Sequence, residues 1–369
     1  MTTGIIIFLT ASFLYAIKAL IFYFGSKSSR KSINISEQTP KVSVIVPARN
    51  EENNIEECIN SFLSISYPMD KFELIVVNDR STDRTGDIID NLSTKYDFIK
   101  PVHVKENRTH KNLQGKAGAL DHGISFSTGD YILMTDADCK VNTNWISEIT
   151  SYFEQESADF VASYTLIEGD LFFERMQALE WIMLHTLAAG GVGIGAPLGC
   201  FGNNVAIRKT TYDKIGGYKE IPFSVTEDLA LQLAVLKSSG KISYRCSVAS
   251  SIHTKPVEDI KEYIKQHHRW VVGGKALGLK GYLFVLVSFS IWVSIFYNAF
   301  NSNYDLVLAI IGLRFLGDLF IIYPALKKLK LSNLLAWMLP AEIFFMIVEI
   351  MSPFLALKKE VKWKNQVFK

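Results

Sequence analysis

The chain has 369 residues, with 39 basic against 37 acidic side chains and a net charge of +2. That balance leaves no electrostatic footprint for nucleic acid, and no basic stripe interleaved with aromatics appears. Hydrophobic residues make up 49% and the mean hydropathy is +0.16, more than a soluble domain alone requires, so membrane segments are sought beside one large catalytic domain.

The first element is a membrane segment. Gly4 to Phe24 is apolar but for Thr10, Ser12 and Lys18. As a helix it would run roughly 31 Å at about 1.5 Å per residue, the thickness of a bilayer core. Lys27, Arg30 and Lys31 follow the run instead of preceding it, which argues against a cleaved signal peptide and places the next segment in the cytoplasm. Residues 1–25 are read as a transmembrane helix and 26–40 as a linker.

Residues 41–250 alternate strand and helix. Val42–Val46, stopped by Pro47, is a short apolar run; Glu73–Val77, Tyr131–Met134 and Phe160–Ala162 are others. Such runs suit strands buried on both faces. Ile55, Ile59, Phe62 and Leu63 mark one helical face between them, and Ile88, Ile89 and Leu92 another. Strands joined by helices imply right-handed crossovers and a doubly wound, mostly parallel sheet, which binds ligands at the carboxyl ends of its strands. Those ends read Pro47-Ala48-Arg49-Asn50-Glu51, Asn78-Asp79-Arg80-Ser81 and Asp136-Ala137-Asp138. Ser81, Thr82 and Asp83 could equally cap the next helix. Leu171–Leu187 has an amphipathic pattern that could lie at the membrane surface, and Gly190–Gly195 lacks the following helix that a dinucleotide fingerprint demands.

Residues 251–280 read as amphipathic and interfacial. There Gln266, Arg269 and Trp270 share one helix face, while the adjacent His267 and His268 lack the spacing of paired helical metal ligands and read as polar filler. Residues 281–357 form a membrane region: Gly281–Phe300 and Tyr304–Tyr323 read as a hairpin, with Lys327, Lys328 and Lys330 marking the return to the cytoplasm. Arg314 and Asp318, four apart, suit an ion pair inside that region. Leu331–Leu357, interrupted by Pro340, Glu342, Glu349 and Pro353, either spans or re-enters, and the second course would keep the basic tail 358–369 inside. Cys58, Cys139, Cys200 and Cys246 form no C-x-x-C pair and read as buried free thiols.

Two motifs carry chemistry. Asp136 and Asp138 flank a small residue at a strand end, where ionised carboxylates repel unless a divalent cation sits between them. Hard oxygen ligands favour Mg²⁺ or Mn²⁺. Thr226-Glu227-Asp228 opens an apolar helical stretch, with Thr226 a good N-cap and the two acids suited to the first turn.

With these residues in place, the segment Val42–Trp270 resembles the inverting family 2 glycosyltransferases of GT-A fold, in particular the membrane-embedded branch of cellulose and hyaluronan synthases. The resemblance rests on Val-Pro-Ala-Arg-Asn-Glu-Glu (46–52), Val-Val-Asn-Asp-Arg-Ser-Thr-Asp (76–83), Gly-Lys-Ala-Gly-Ala-Leu (115–120), Asp-Ala-Asp, Thr-Glu-Asp and Gln-His-His-Arg-Trp (266–270). Asn78 departs from it, standing where relatives usually carry an aspartate.

The resemblance implies a GT-A nucleotide-diphospho-sugar transferase domain, α/β with a Rossmann-like sheet, plus transmembrane helices. It implies a UDP-sugar donor, a lipid or saccharide acceptor, Mg²⁺ or Mn²⁺ as cofactor, and membrane lipid around the chain. Pro47, Ala48, Glu51 and Asp79 would hold uridine, with Asp79 accepting from the uracil N3–H. Lys116, Asp136, Gln266 and Arg269 would contact the sugar diphosphate, and Asp138 with Asp136 the metal. Asp228 would be the general base, already deprotonated if its pKa is that of an exposed carboxylate, about 3.9. Glu227, Trp270, Gly202 and Asn203 would meet the acceptor. Single addition and processive polymer synthesis both remain compatible with this pattern. A channel or transporter with a nucleotide-sugar-sensing domain is the rival from another class, and its polar path would have to use Arg314, Asp318, Glu342 and Glu349.

Overall fold

The computed structural model describes residues 2–106, 109–358, 360–363 and 366–368. Its core is a seven-stranded sheet. The strands are β1 (Val42–Ala48), β2 (Phe72–Asp79), β3 (Ile99–Val104), β4 (Tyr131–Met134), β5 (Cys139–Val141), β6 (Phe160–Ser163), β7 (Thr165–Ile167), β8 (Val205–Arg208), β9 (Ile242–Arg245) and β10 (Ile252–Thr254). The main sheet has the order β3-β2-β1-β4-β8-β6-β9, and β5-β10-β7 forms a smaller one. Pairings of β1 with β2 and β4, of β2 with β3, and of β6 with β9 are parallel; β8 alone runs against its neighbours β4 and β6.

Pro47 does not stop the first strand. β1 continues through Ala48, with Pro47 paired to Val77. The rungs shared with β4 end at Ile45, so the missing N–H of Pro47 lies beyond the β4 ladder.

Helices α1 (Thr2–Gly25), α2 (Ile55–Ser61), α3 (Thr85–Ser93), α4 (Gly115–Ile124), α5 (Trp145–Glu156), α6 (Phe172–Gly193), α7 (Lys209–Lys214), α8 (Gly217–Glu220), α9 (Glu227–Lys237) and α10 (Ile260–Gly274) surround the sheets. One face of the main sheet is covered by α2, α3 and α5 through Ile55, Ile59, Ile89, Trp145 and Phe153. The other is covered by α4, α6 and α9 through Leu120, Ile182 and Leu231. Three helices follow: α11 (Leu279–Phe300), α12 (Tyr304–Lys328) and α13 (Met338–Ala356). Four helical segments are long and apolar enough to cross a membrane: Thr2–Arg30, Leu279–Phe300, Tyr304–Lys328 and Ser332–Ala356.

Helix α6 is not a surface helix. Met176, Leu179, Trp181 and Ile182 on it are buried, and it packs on β7 and β9 as well as on α1, α12 and α13. The α/β unit and the long apolar helices thus share one apolar core, in which Phe22, Ile182, Ile322 and Leu326 belong together. The glycine run has its use here. A Cβ on Gly193 would overlap the Gly25 carbonyl oxygen, and one on Gly190 would press on Phe22, so both keep α1 and α6 in backbone contact.

Inside the helical bundle Lys18 is turned inward and donates to Ser288 Oγ at 2.7 Å. The expected Arg314–Asp318 pair is long, 3.9 Å, and Arg314 is held mainly by acids on another helix, Glu342 at 2.6 Å and Glu349. Asp318 instead accepts from Tyr15 at 2.5 Å. Charges in apolar surroundings persist only when paired, and Tyr15, Arg314, Asp318, Glu342 and Glu349 tie α1, α12 and α13 together.

Helix α13 has both ends against the catalytic unit. Trp337, just before it, meets Phe172 with ring centroids 6.0 Å apart, and the Ala356 carbonyl at its end accepts from Lys275 at 2.9 Å. Between those ends Phe344 packs on Tyr263 of α10 at 5.4 Å. The residues that follow α13 thus begin beside the α/β unit. Replacing Gly193 with leucine forces α1 off α6, and thermal unfolding of the detergent-solubilised protein will show destabilisation of at least about 1–3 kcal/mol, whereas Gly274→Ala, with open space at its Cβ, will stay close to wild type.

Candidate active site

Each expected site segment leaves the carboxyl edge of the sheet or a helix that faces it. The loops after β1 and β2 are stitched to one another. Asn50 and Arg80 both take positive φ, 54° and 56°. Asn50 Oδ1 accepts from the Thr82 amide at 2.8 Å, and the Glu51 amide donates to Thr85 Oγ1 at 2.8 Å. Asp83, not Ser81 or Thr82, receives the amide of the first residue of α3, at 3.0 Å. Asp79 is buried and held in a two-pronged pair by Arg80, at 3.0 and 3.1 Å. Pro47, Ala48 and Glu51 lie on this edge, with the Glu51 carboxylate accepting from Asn54 at 2.9 Å.

Lys116 joins this edge to the acids of α9. It occupies the first turn of α4, and its Nζ stands 2.6 Å from Asp136 Oδ1 and 3.1 Å from Glu227 Oε1. Burial opposes its charge, yet the carboxylates around it raise its pKa above the ordinary lysine range. Glu227 is correspondingly held below the usual carboxylate range: burial works against its charge, and Lys116 and Arg269 outweigh that.

Asp228, next in the chain, behaves differently from an exposed carboxylate. Burial first, and the Glu227 charge second, push it up to about 6. Its Oδ2 accepts from the Gly202 amide at 2.7 Å. A Cβ on Gly202 would lie 3.1 Å from Asp228 Cβ, so glycine is what lets the 199–204 loop close on the acids. Thr226 stands at the N-cap, but its hydroxyl meets Ser224 Oγ at 3.2 Å and caps nothing, because its backbone, at ψ 80°, turns the side chain away from the free amides.

The metal position can be tested on the same terms. Asp138 is pushed up to about 6 by burial and then by the charges of Asp136 and Glu51. Asp136 has Lys116 as its counter-ion, whereas beside Asp138 the thiol of Cys139 lies at 3.4 Å. The residues thus fit a divalent cation at Asp138. Among the described residues no group of three His, Cys, Asp or Glu side chains is assembled for it, so the remaining ligands would have to come from donor oxygens and water.

Helix α10 brings its motif to the same place. Arg269 Nη1 reaches the Val225 carbonyl at 3.5 Å, and Gly273 packs so closely on Thr226 that a side chain there would overlap it. Gln266 Oε1 is buried with no hydrogen-bond partner among the described residues. Trp270 joins an aromatic wall with Trp181 at 5.7 Å and Phe201 at 5.6 Å, immediately beside the Gly202 that contacts Asp228. Asn203 is turned away from that wall, with its Oδ1 accepting from Thr165 at 2.8 Å.

Three participants escape a reading of the sequence. His267 is no polar filler: its Nε2 lies 3.0 Å from Glu180 Oε1, and Tyr263 donates to the other oxygen at 2.6 Å. This buried cluster braces α10 on α6. His268 Nε2 sits 2.9 Å from the Lys358 carbonyl and so marks where the tail returns. Third, the C-terminal strands Val361–Trp363 and Gln366–Phe368 pair with each other and bring Val361 and Phe368 to the small cavity that Gln114, Lys116, Glu227 and Arg269 line. A partner glutamate one residue type away on an apolar helix, or an apolar pair in a basic tail, leaves no signal in local spacing.

A seven-stranded, mostly parallel sheet with two acidic motifs at its carboxyl edge is the GT-A architecture of nucleotide-sugar transferases. The chain belongs to glycosyl transferase family 2, whose model matches residues 43–227. It is 32% identical over 253 residues to a probable glycosyltransferase, YdaM, of Bacillus subtilis, covering 66% of this chain and 57% of that one. It is 27% identical to a beta-monoglucosyldiacylglycerol synthase of Nostoc over 65% of this chain and 50% of the relative. The chain thus spans about half the length of the curated relatives it matches. In fold it is similar to a mannosyltransferase of Pyrobaculum calidifontis solved with GDP-Man and Mn²⁺, with a TM-score of 0.59 and 16% identity across 96% of this chain and 97% of the other.

The His267–Glu180 pair makes the seat of α10 sensitive to pH. Although burial opposes its charge, Glu180 raises the His267 pKa above the ordinary value. A raised folded pKa stabilises fully below the unfolded value of about 6.5 and loses that contribution as pH climbs through the folded one. Amide exchange in 260–274 will accelerate over that interval beyond the intrinsic pH effect, and Glu180→Gln will remove the excess.

Proposed function

We propose that the protein transfers a hexose or N-acetylhexosamine from a UDP-sugar to a lipid acceptor at the cytoplasmic membrane face, inverting the anomeric centre in a metal-dependent reaction. The observation that carries this reading is the position of Lys116 between Asp136 and Glu227, which draws the Asp-Ala-Asp edge and Asp228 into one cleft. Asp79, oriented by Arg80, presents its carboxylate to the uracil N3–H, with Pro47, Ala48 and Glu51 beside it. Asp138, with Asp136, would hold Mg²⁺ or Mn²⁺, which supplies positive charge to the diphosphate when bound.

The transfer is then a direct displacement. The acceptor hydroxyl oxygen bonds to the anomeric carbon while the bond from that carbon to the phosphate oxygen breaks. Asp228 takes the hydroxyl proton, and the diphosphate leaves with the electron pair towards Lys116 and Arg269, whose planar fork suits phosphate oxygens. Gln266 would serve the same end of the donor through its side-chain amide N–H. Glu227 keeps Lys116 and Arg269 in place. Trp270, Trp181 and Phe201 offer the acceptor flat apolar faces. Gly202 and Asn203 shape the loop beside them, Asn203 from behind through Thr165.

The lipid acceptor is favoured by continuity: Trp181 stands on α6, the helix that packs on the membrane segments. The glycolipid synthase among the relatives points the same way, and the orientation follows from the basic residues flanking the apolar runs.

UDP release measured against UDP-glucose, UDP-galactose and UDP-N-acetylglucosamine, with diacylglycerol-containing vesicles, tests the reading. Asp228→Asn will lower transfer by about 10²–10⁴-fold while UDP binding persists; full activity, or lost UDP binding, removes Asp228 from the role. The base must be ionised, so turnover will fall as pH drops through about 6, the value burial and Glu227 set, and level off above it. EDTA will stop transfer and added Mn²⁺ or Mg²⁺ restore it; activity undiminished in EDTA rejects the metal.

A further inference from the structure

A concavity on the apolar helices lies away from the transfer site. Between the ends of α1 and α12 nearest the catalytic unit, a cavity of about 850 Å³ is lined by apolar and aromatic side chains, among them Tyr23, Leu319 and Phe320, and by the cations Arg30, Lys327, Lys328 and Lys330. Among the described residues no carboxylate lines it.

Its two parts are arranged in depth. Leu316, Phe320 and Tyr323 are exposed on the outer surface of α12, at the level of an acyl chain. Tyr23 and Phe320 stack with centroids 4.0 Å apart and form the floor between the helices. The cations cluster at one end, where α12 terminates and the chain leaves the apolar layer. Arg30 is fixed there by Ser26 Oγ at 2.6 Å and by its place over the Tyr23 ring, and Lys328 reaches Ser32 Oγ at 3.3 Å. Lys330 is held at positive φ, 62°, just past the helix. A generic cationic rim would scatter its charges, whereas here four converge on one mouth without a counter-ion in the lining. Lys327 and Lys330 are exposed and Arg30 and Lys328 half-buried, so the cluster stays open to an anion at the surface of the apolar layer.

We infer that this cavity is a binding site for one anionic phospholipid of the bilayer, its phosphate among Arg30, Lys327, Lys328 and Lys330 and an acyl chain along Leu316, Leu319 and Phe320. The site is separate from the transfer chemistry and holds α1 against α12. Since α1 and α12 also pack on α6, occupancy stabilises the membrane seat of the whole chain.

The test uses the full-length protein in maltoside micelles, with thermal unfolding followed by tryptophan fluorescence. Dioleoylphosphatidylglycerol will raise the midpoint saturably; dioleoylphosphatidylcholine and inorganic phosphate at equal concentration will not. Replacing Lys327→Gln, Lys328→Gln and Lys330→Gln together will raise the half-saturating phosphatidylglycerol concentration on the order of a hundredfold, from three lysines near a phosphate. The matched variant Lys261→Gln, Lys265→Gln, Lys280→Gln, with the same charge lost from exposed positions elsewhere, will titrate like wild type. Equal loss in both variants, an unshifted triple variant, or equal protection by phosphatidylcholine or free phosphate overturns the site. The wild-type arms decide the matter even if the triple variant fails to fold.

Discussion

One ammonium group stands at the centre of this molecule. Lys116 Nζ touches Asp136 at the edge of the sheet and Glu227 at the head of α9. Five acids from three parts of the chain, Glu51, Asp136, Asp138, Glu227 and Asp228, crowd this cleft, and without a cation between them their mutual repulsion would push the loops apart. Lys116 pairs with Asp136 and Glu227, while burial and neighbouring carboxylates push Asp138 and Asp228 up to about 6. On the proposed reading, that division would separate a place for metal and diphosphate from a place for a proton acceptor.

The same cleft is fixed to the long apolar helices by packing. Helix α6 carries Trp181 towards the aromatic wall and its opposite side towards α1, α12 and α13. Helix α10 is pinned to α6 by the Glu180–His267–Tyr263 cluster and to Thr226 by Gly273. A shift of the membrane helices therefore reaches Arg269 and Trp270 through side chains already in contact. The apolar core that runs unbroken from Ile182 to Leu326 leaves little room for independent motion of the two parts.

Much of the architecture was legible in the residues. Continuous apolar runs located β1, β2, β4 and β6, since a strand buried on both faces has no alternation to hide. The first apolar run and the hairpin 281–323 were visible from length alone. Misreadings arose where a local rule met a particular neighbourhood. Pro47 was tolerated in a strand because the β4 ladder had already ended. The Thr226 hydroxyl faced Ser224, not the helix amides. The amphipathic pattern of 171–187 suits a helix at the membrane surface, but α6 is buried along most of its length.

By itself the sequence determined the class of fold, the order of the motifs and the acidic character of the site, because strand periodicity and residue chemistry are local properties. Only the tertiary structure decided which groups confront one another. It seated Lys116 between two motifs, buried Asp228 enough to lift its pKa, matched Arg314 to Glu342 in preference to its helical neighbour Asp318, gave His267 its glutamate and returned the tail to the catalytic side. Burial and partner choice depend on contacts between segments far apart in the chain, and no spacing rule within one segment encodes them.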